Sequence, residues 1–159
     1  MPTIDITGPN QVPMESAERI LRELPQWFGI ESALLKYAQD AEALLNFLAV
    51  VEEQMVGFVT MREHNPVSLE LNCIALLPSW HRAGLGRRLC AAAEEWWAGR
   101  GGRLVQIKTL GAARANEHDA RTRAFYYALG YLPVEEFPDL WPGNPCLLLV
   151  KPVASRDAA

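Results

Sequence analysis

Between Leu76 and Leu89 the chain reads Leu-Leu-Pro-Ser-Trp-His-Arg-Ala-Gly-Leu-Gly-Arg-Arg-Leu. Apolar, strand-forming residues stop at Pro78, a turn carrying Gly84 and Gly86 follows, and an apolar helical pattern begins at once. Such a junction makes an anion seat. The first N–H groups of a helix have no carbonyl partner within it, and they stand at the positive end of its dipole. Gly84 and Gly86 lack the Cβ atoms that would hold a bulky anion off the backbone. Arg82, Arg87 and Arg88 add positive charge at the rim. The chemistry implied is the binding of a phosphate by backbone amides.

Two common phosphate readings fail on the residues. A dinucleotide fingerprint needs a third glycine where Leu89 stands, and a P-loop needs Gly-Lys-Ser or Gly-Lys-Thr, which is absent. No serine sits in a Gly-x-Ser-x-Gly elbow. His64, His81 and His118 are scattered, and no Cys or His pair shows metal-ligand spacing. No metal site is expected.

The elements around the seat follow from periodicity. Thr3–Thr7 predicts a first strand stopped by Gly8-Pro9-Asn10. Apolar positions at helical spacing predict helices over Met14–Leu24 and Glu31–Gln39, with the aromatic pair Trp27-Phe28 between them. Asn46–Glu52 and Met55–Arg62 read as a hairpin turning at Glu52-Glu53-Gln54. Ser68–Leu76 is the next strand, apolar on both faces towards its end, as a mid-sheet strand is. A helix over Leu85–Ala98 carries Leu85, Leu89, Ala92, Ala93 and Trp96 as its stripe, with Trp96 and Trp97 split between packing and partial exposure. Leu104–Thr109 follows as a strand reached by a parallel crossover. After a polar loop to His118, Asp119 is placed to cap a helix over Ala120–Leu129 that ends at Gly130. Strands over Leu132–Phe137 and Cys146–Lys151 close the chain around an aromatic loop, Pro138–Pro145, and Ala154–Ala159 is left as a loose tail. The order β-αα-βββ-α-β-α-ββ describes one mixed α/β domain over residues 1–159.

Composition narrows the partners. Half of the 159 residues are apolar and the net charge is −4, which disfavours nucleic acid or an anionic membrane as the main partner. No apolar run is long enough to span a bilayer, and the start does not resemble a signal peptide. Cys73, Cys90 and Cys146 are odd in number and lie in apolar segments, which suits buried thiols and a cytoplasmic location.

The segment Leu76–Leu89 resembles the acetyl-coenzyme A signature of the GCN5-related N-acetyltransferases, Arg/Gln-x-x-Gly-x-Gly/Ala. Thr122-Arg123-Ala124-Phe125-Tyr126-Tyr127-Ala128-Leu129-Gly130-Tyr131 is similar to that family's later segment, a helix with Phe-Tyr ending at Gly-Phe. The two stand in the family's order, and the resemblance covers residues 46–151. His81 replaces the usual Arg or Gln, Tyr131 the usual Phe, and Asp119 stands where many members have Asn. The resemblance implies a mixed, mostly antiparallel sheet of about six to seven strands with about four helices and splayed central strands.

It also implies roles. His81, Arg82, Ala83, Gly84, Leu85, Gly86 and Arg87 would hold the pyrophosphate of acetyl-CoA, and the edge of Ile74, Ala75 and Leu76 would pair with the pantetheine amides. Asp119 would stand near that arm. Tyr126 matches the tyrosine that protonates the departing thiolate, while its residue-level reading is plain core packing. Transfer to an amine needs a proton acceptor. Glu70 is the best-placed carboxylate, on the strand that leads into the turn, with Glu63, Glu52 and His64 in competition. The activity expected is acetyl transfer from acetyl-CoA to a primary amine by direct attack, with Trp27-Phe28 and Trp141 shaping the acceptor pocket. A small-molecule amine is the acceptor expected first, with a protein N-terminus or lysine as alternatives and a homodimer left open. A non-catalytic acyl-CoA-binding module is the second reading. Transfer to an aminoacyl group of tRNA is the third, disfavoured by charge.

Overall fold

The computed structural model describes residues 2–154. The elements in order are β1 (Ile4–Asn10), α1 (Met14–Arg22), α2 (Glu31–Ala43), β2 (Leu45–Val51), β3 (Gln54–Glu63), β4 (Ser68–Leu76), a 3-10 turn at Pro78–Trp80, α3 (Leu85–Gly99), β5 (Leu104–Leu110), α4 (Glu117–Ala128), β6 (Leu132–Trp141) and β7 (Asn144–Pro152). Seven strands form one mixed sheet in the order β1-β2-β3-β4-β5-β7-β6. The chain packs as two compact units: residues up to Arg62 with Leu71–Trp96, and Glu63–Glu70 with Trp97 onward.

In the first unit β1 pairs antiparallel with β2, and β2 with β3. The apolar faces of α1 and α2, through Ala17, Ile20, Leu21, Leu34, Ala38 and Ala41, pack with Phe58, Cys73 and Ala75 of the sheet into one core. Removing those side chains from water is what holds helices this short. A fully buried polar pair, Asn46 and Thr60, also lies in this unit. The Asn46 amide donates to the carbonyls of Asn10 (3.1 Å), Ala41 (2.8 Å) and Leu44 (3.1 Å), and its oxygen accepts from Thr60 Oγ1 at 2.7 Å. At the surface, Arg22 forks onto both carboxylate oxygens of Glu31 at 3.0 and 2.6 Å, linking α1 to the start of α2 and holding the Glu31 carboxyl below its ordinary range.

In the second unit the first residues of β4 run parallel to β5, with Ser68, Leu69 and Glu70 opposite Leu104, Val105 and Gln106. β5 pairs antiparallel with β7, and β7 with the edge strand β6. Trp97 is 1% exposed, and its indole N–H lies 3.0 Å from the Leu104 carbonyl oxygen.

Four expectations need correction. β1 does not stop before Gly8. It continues to Asn10, opposite Asn46, because a register irregularity after Thr7 absorbs the Gly-Pro step. The expected aromatic loop Pro138–Pro145 is instead a tight hairpin. Trp141 pairs with Asn144, and Gly143 turns the chain at φ +75°. Pro133 and Pro138 fit there because β6 is an edge strand, where a missing N–H breaks no ladder on the solvent side. On α3 the buried stripe is Leu85, Leu89, Ala93 and Trp97, at i, i+4 spacing, and Trp96 is only half-buried, its ring edge-on to Phe47. The last helix starts at Glu117, ahead of the expected Ala120. Its cap is Asn116, whose side chain accepts from the Asp119 N–H at 3.1 Å, so Asp119 is the capped residue and not the cap. The expected loose tail, Ala154–Ala159, lies outside the described residues apart from Ala154.

Candidate active site

The seat is built within the first unit. β4 ends at Leu76, and the Leu77 N–H donates to the Val56 carbonyl at 2.9 Å, which fixes the strand's last residues against β3. A Cβ on Gly57 would run into a Leu76 methyl and lie 3.0 Å from the Ala75 carbonyl oxygen, so glycine lets β3 pass close to the end of β4. The chain then makes its 3-10 turn and reverses through two left-handed residues, Arg82 at φ +65° and Gly84 at φ +79°. Gly84 adopts this backbone freely, whereas Arg82 is strained there. α3 begins next, and the Arg88 N–H donates to the Gly84 carbonyl at 3.1 Å. The amides of Leu85, Gly86 and Arg87 precede that bond and belong to the unpartnered first turn.

The surroundings suit a large anion. A Cβ on Gly84 would meet nothing within 4 Å, so the space above the turn is open. Arg82 and Arg87 are exposed and have no ion-pair partner among the described residues. Arg88 donates to the Ile4 carbonyl at 3.3 Å and is committed to β1. His81 is tied back, with Nε2 donating to the Leu76 carbonyl at 2.8 Å, and its ring stands edge-on to Trp27 with centroids 5.8 Å apart. Trp27 therefore borders the turn. Phe28 instead packs against the helical core and lies edge-on to Tyr37 at 5.6 Å. Ile74 and Leu76 are half-buried and Ala75 buried, at the end of β4. Glu52 is exposed at the β2–β3 turn, where its φ is +51°.

The second unit holds the proton-transfer candidates other than Glu52. Tyr126 lies on α4, 9% exposed, with its ring 5.3 Å from Phe125 and 6.1 Å from Tyr131. Tyr127 is 44% exposed, as its place on the helix demands. Asp119 is buried in the first turn of α4, with Oδ2 3.9 Å from Arg114 Nε. Glu70, 7% exposed, accepts from His64 Nε2 at 2.7 Å and from Lys108 Nζ at 3.3 Å. Two of the competing proton acceptors, Glu70 and His64, are thus one hydrogen-bonded pair. Glu63 is exposed at the end of β3. Trp141 is half-buried at the end of β6. Lys108 was not foreseen, because only the β4–β5 register brings it near Glu70. The available signal was Lys108 standing beside buried Ile107, on the alternate face of β5.

All three cysteines are buried, and burial pushes the thiols of Cys73 and Cys146 up. Among the described residues no group of three or more His, Cys, Asp or Glu is placed to hold a metal ion. No helix among them is long and apolar enough to cross a membrane.

Residues 42–133 match the family model described as acetyltransferase (GNAT) domain, a span that includes the whole turn and Tyr126. No curated protein matches. Among solved structures, the chain is similar to a protein from Desulfovibrio desulfuricans assigned to the GNAT acetyltransferases, with TM-score 0.79 and 18% identity, over 96% of this chain and 100% of that one. It is similar to the ribosomal-protein-S18-alanine N-acetyltransferase of Escherichia coli, with TM-score 0.74 and 20% identity, over 97% and 95%. The aminoglycoside 6'-N-acetyltransferase of Enterococcus faecium aligns with TM-score 0.70 and 21% identity, over 97% and 98%.

Proposed function

The chain belongs to the GNAT acetyltransferase family, which makes it an acyltransferase with acetyl-CoA as donor, and from that premise we propose that it acetylates a primary amine by direct attack in a ternary complex. The observation that carries this reading is the junction of β4 and α3. There Arg82 and Gly84 turn the chain left-handed, and the amides of Leu85, Gly86 and Arg87 are left for an anion.

His81, Arg82, Ala83, Gly84, Leu85, Gly86 and Arg87 would hold the pyrophosphate, by backbone N–H groups with Arg82 and Arg87 adding charge. The hydrogen bond from His81 to Leu76 keeps the turn folded onto the strand it leaves. Ile74, Ala75 and Leu76, extended at the end of β4, would pair with the amides of the pantetheine arm. Asp119 is the further candidate for contact with that arm. When bound, the donor supplies an activated thioester.

Tyr126 would give its hydroxyl proton to the departing sulfur. A phenol suits that step, since its ordinary pKa lies near a thiol's. The amine arrives as an ammonium and must lose a proton before its nitrogen can attack, and the Glu70–His64 pair would take it. Trp27, beside His81, and Trp141 would border the acceptor. A small-molecule amine fits the aminoglycoside enzyme among the similar structures, and a protein N-terminus fits the S18-alanine enzyme.

Thiol release from acetyl-CoA, measured over a panel of small amines and N-terminal peptides, tests the proposal. Amine-dependent release supports it. Tight CoA binding with no release in the presence of any amine would favour a binding module instead.

A further inference from the structure

We propose that His64 Nδ1 is the atom that accepts the amine's proton and that Glu70 acts through it as a positioning residue. The inference rests on the transferase reading above and names which member of the pair does the work.

An ionised carboxylate only accepts hydrogen bonds. At 2.7 Å from Glu70 Oε1, His64 Nε2 must therefore carry the hydrogen, which leaves the lone pair on Nδ1. Nδ1 has no partner among the described residues, and the His64 side chain is 35% exposed while that of Glu70 is 9% exposed. Glu70 is itself buried, and two donors share its Oε1. Lys108 Nζ from β5 lies 3.3 Å from the same Oε1, and Cys146 of β7 is close enough for its thiol to feel both charges. That thiol stays protonated because burial pushes it up. Of the two proton acceptors in the cluster, the imidazole is the more exposed, and its free lone pair is on Nδ1.

The connection that carries His64 does not need this side chain for its shape. The His64 N–H donates to the Ser68 carbonyl at 3.0 Å, and Asn65 Oδ1 accepts from the amides of Val67 (2.9 Å) and Ser68 (3.0 Å). Backbone and Asn65 already fold the loop. The His64–Glu70 bond orients the ring and adds little to the loop itself.

The proton balance follows. The ammonium gives one proton to His64 Nδ1, and the freed nitrogen forms its bond to the thioester carbonyl carbon. The carbon–sulfur bond breaks with its electron pair on sulfur, and Tyr126 protonates that sulfur. The second proton shed by the new amide nitrogen restores the Tyr126 hydroxyl through solvent. His64 releases its proton to water, so one proton leaves per turnover. Lys108 Nζ, 3.3 Å from Oε1, helps to hold the Glu70 carboxylate in place without taking part.

The test combines ¹⁵N NMR of the imidazoles with kinetics on the full chain. Wild type is expected to show His64 with hydrogen on Nε2 and a bare Nδ1, and E70Q to lose that preference. H64A is expected to lower kcat by a factor on the order of 10²–10³, leave CoA affinity unchanged, and recover activity with added imidazole. E70Q is expected to lower kcat without imidazole rescue. A His64 ring hydrogenated on Nδ1 overturns the proposal whatever the activity. So does H64A turnover at the wild-type rate, or loss in E70Q alone, which would return the base to Glu70. Failure of the wild type to release thiol with any amine strikes the transferase reading itself, and so is told apart from failure of the variants.

Discussion

His81 Nε2 donates to the Leu76 carbonyl across 2.8 Å, closing the 3-10 turn between β4 and α3 onto the last residue of the strand. Where the family pattern has Arg or Gln, a shorter side chain thus supplies the same type of donor. His81→Ala removes that bond and the contact with Trp27. A net loss of about 1 kcal/mol corresponds to CoA binding weaker by about fivefold. His81→Gln keeps a donor and should stay close to wild type. Calorimetric titration with CoA checks both, and equal affinity in all three proteins would show that the bond does not organise the turn.

Gly84 separates the cost to the fold from the cost to binding. At φ +79° an alanine is strained by about 1 kcal/mol, yet its Cβ would touch no protein atom. The methyl would stand in the open space over the α3 amides. Gly84→Ala should therefore lower the unfolding midpoint slightly and weaken CoA binding by tenfold or more. A variant that loses stability but binds CoA normally would place the phosphate elsewhere.

The buried Asn46 amide ties β1, the end of α2 and β3 through four hydrogen bonds. Asn46→Ala leaves three carbonyls and the Thr60 hydroxyl without this partner and should cost about 3 kcal/mol in urea unfolding. Asn46→Asp keeps the shape but turns a carboxylate towards those carbonyls, and should cost at least as much at neutral pH. An unchanged midpoint in either variant would mean that the network contributes nothing net.

Much of the fold was readable because strong local signals agreed with it. Gly84 at a strand–helix junction and Gly130 after a helix each act within a few residues. The hidden parts depend on pairings distant in sequence or on small angular differences. Arg82 at φ +65° could not be foreseen, since nothing in an arginine announces a left-handed backbone. Trp96 and Trp97 differ by 100° on the helix, and the short apolar pattern fits either until the sheet selects Trp97. The pairing of His64 with Glu70 depends on how the β3–β4 connection folds. That of Lys108 with Glu70, 38 residues apart, depends on the β4–β5 register. In the loop before α4, Asn116 and Asp119 are both good caps by type, and only the backbone shows which one accepts and which donates.

In the proposed mechanism the β4–α3 turn would bind the donor and Tyr126, on α4, would protonate the leaving sulfur. Tyr126→Phe removes one oxygen and keeps the ring that packs against Phe125 and Tyr131. The measurement is kcat for amine-dependent thiol release beside the Kd for CoA. The account predicts kcat lower by a factor on the order of 10²–10⁴ with Kd unchanged. Wild-type turnover in Tyr126→Phe would contradict it.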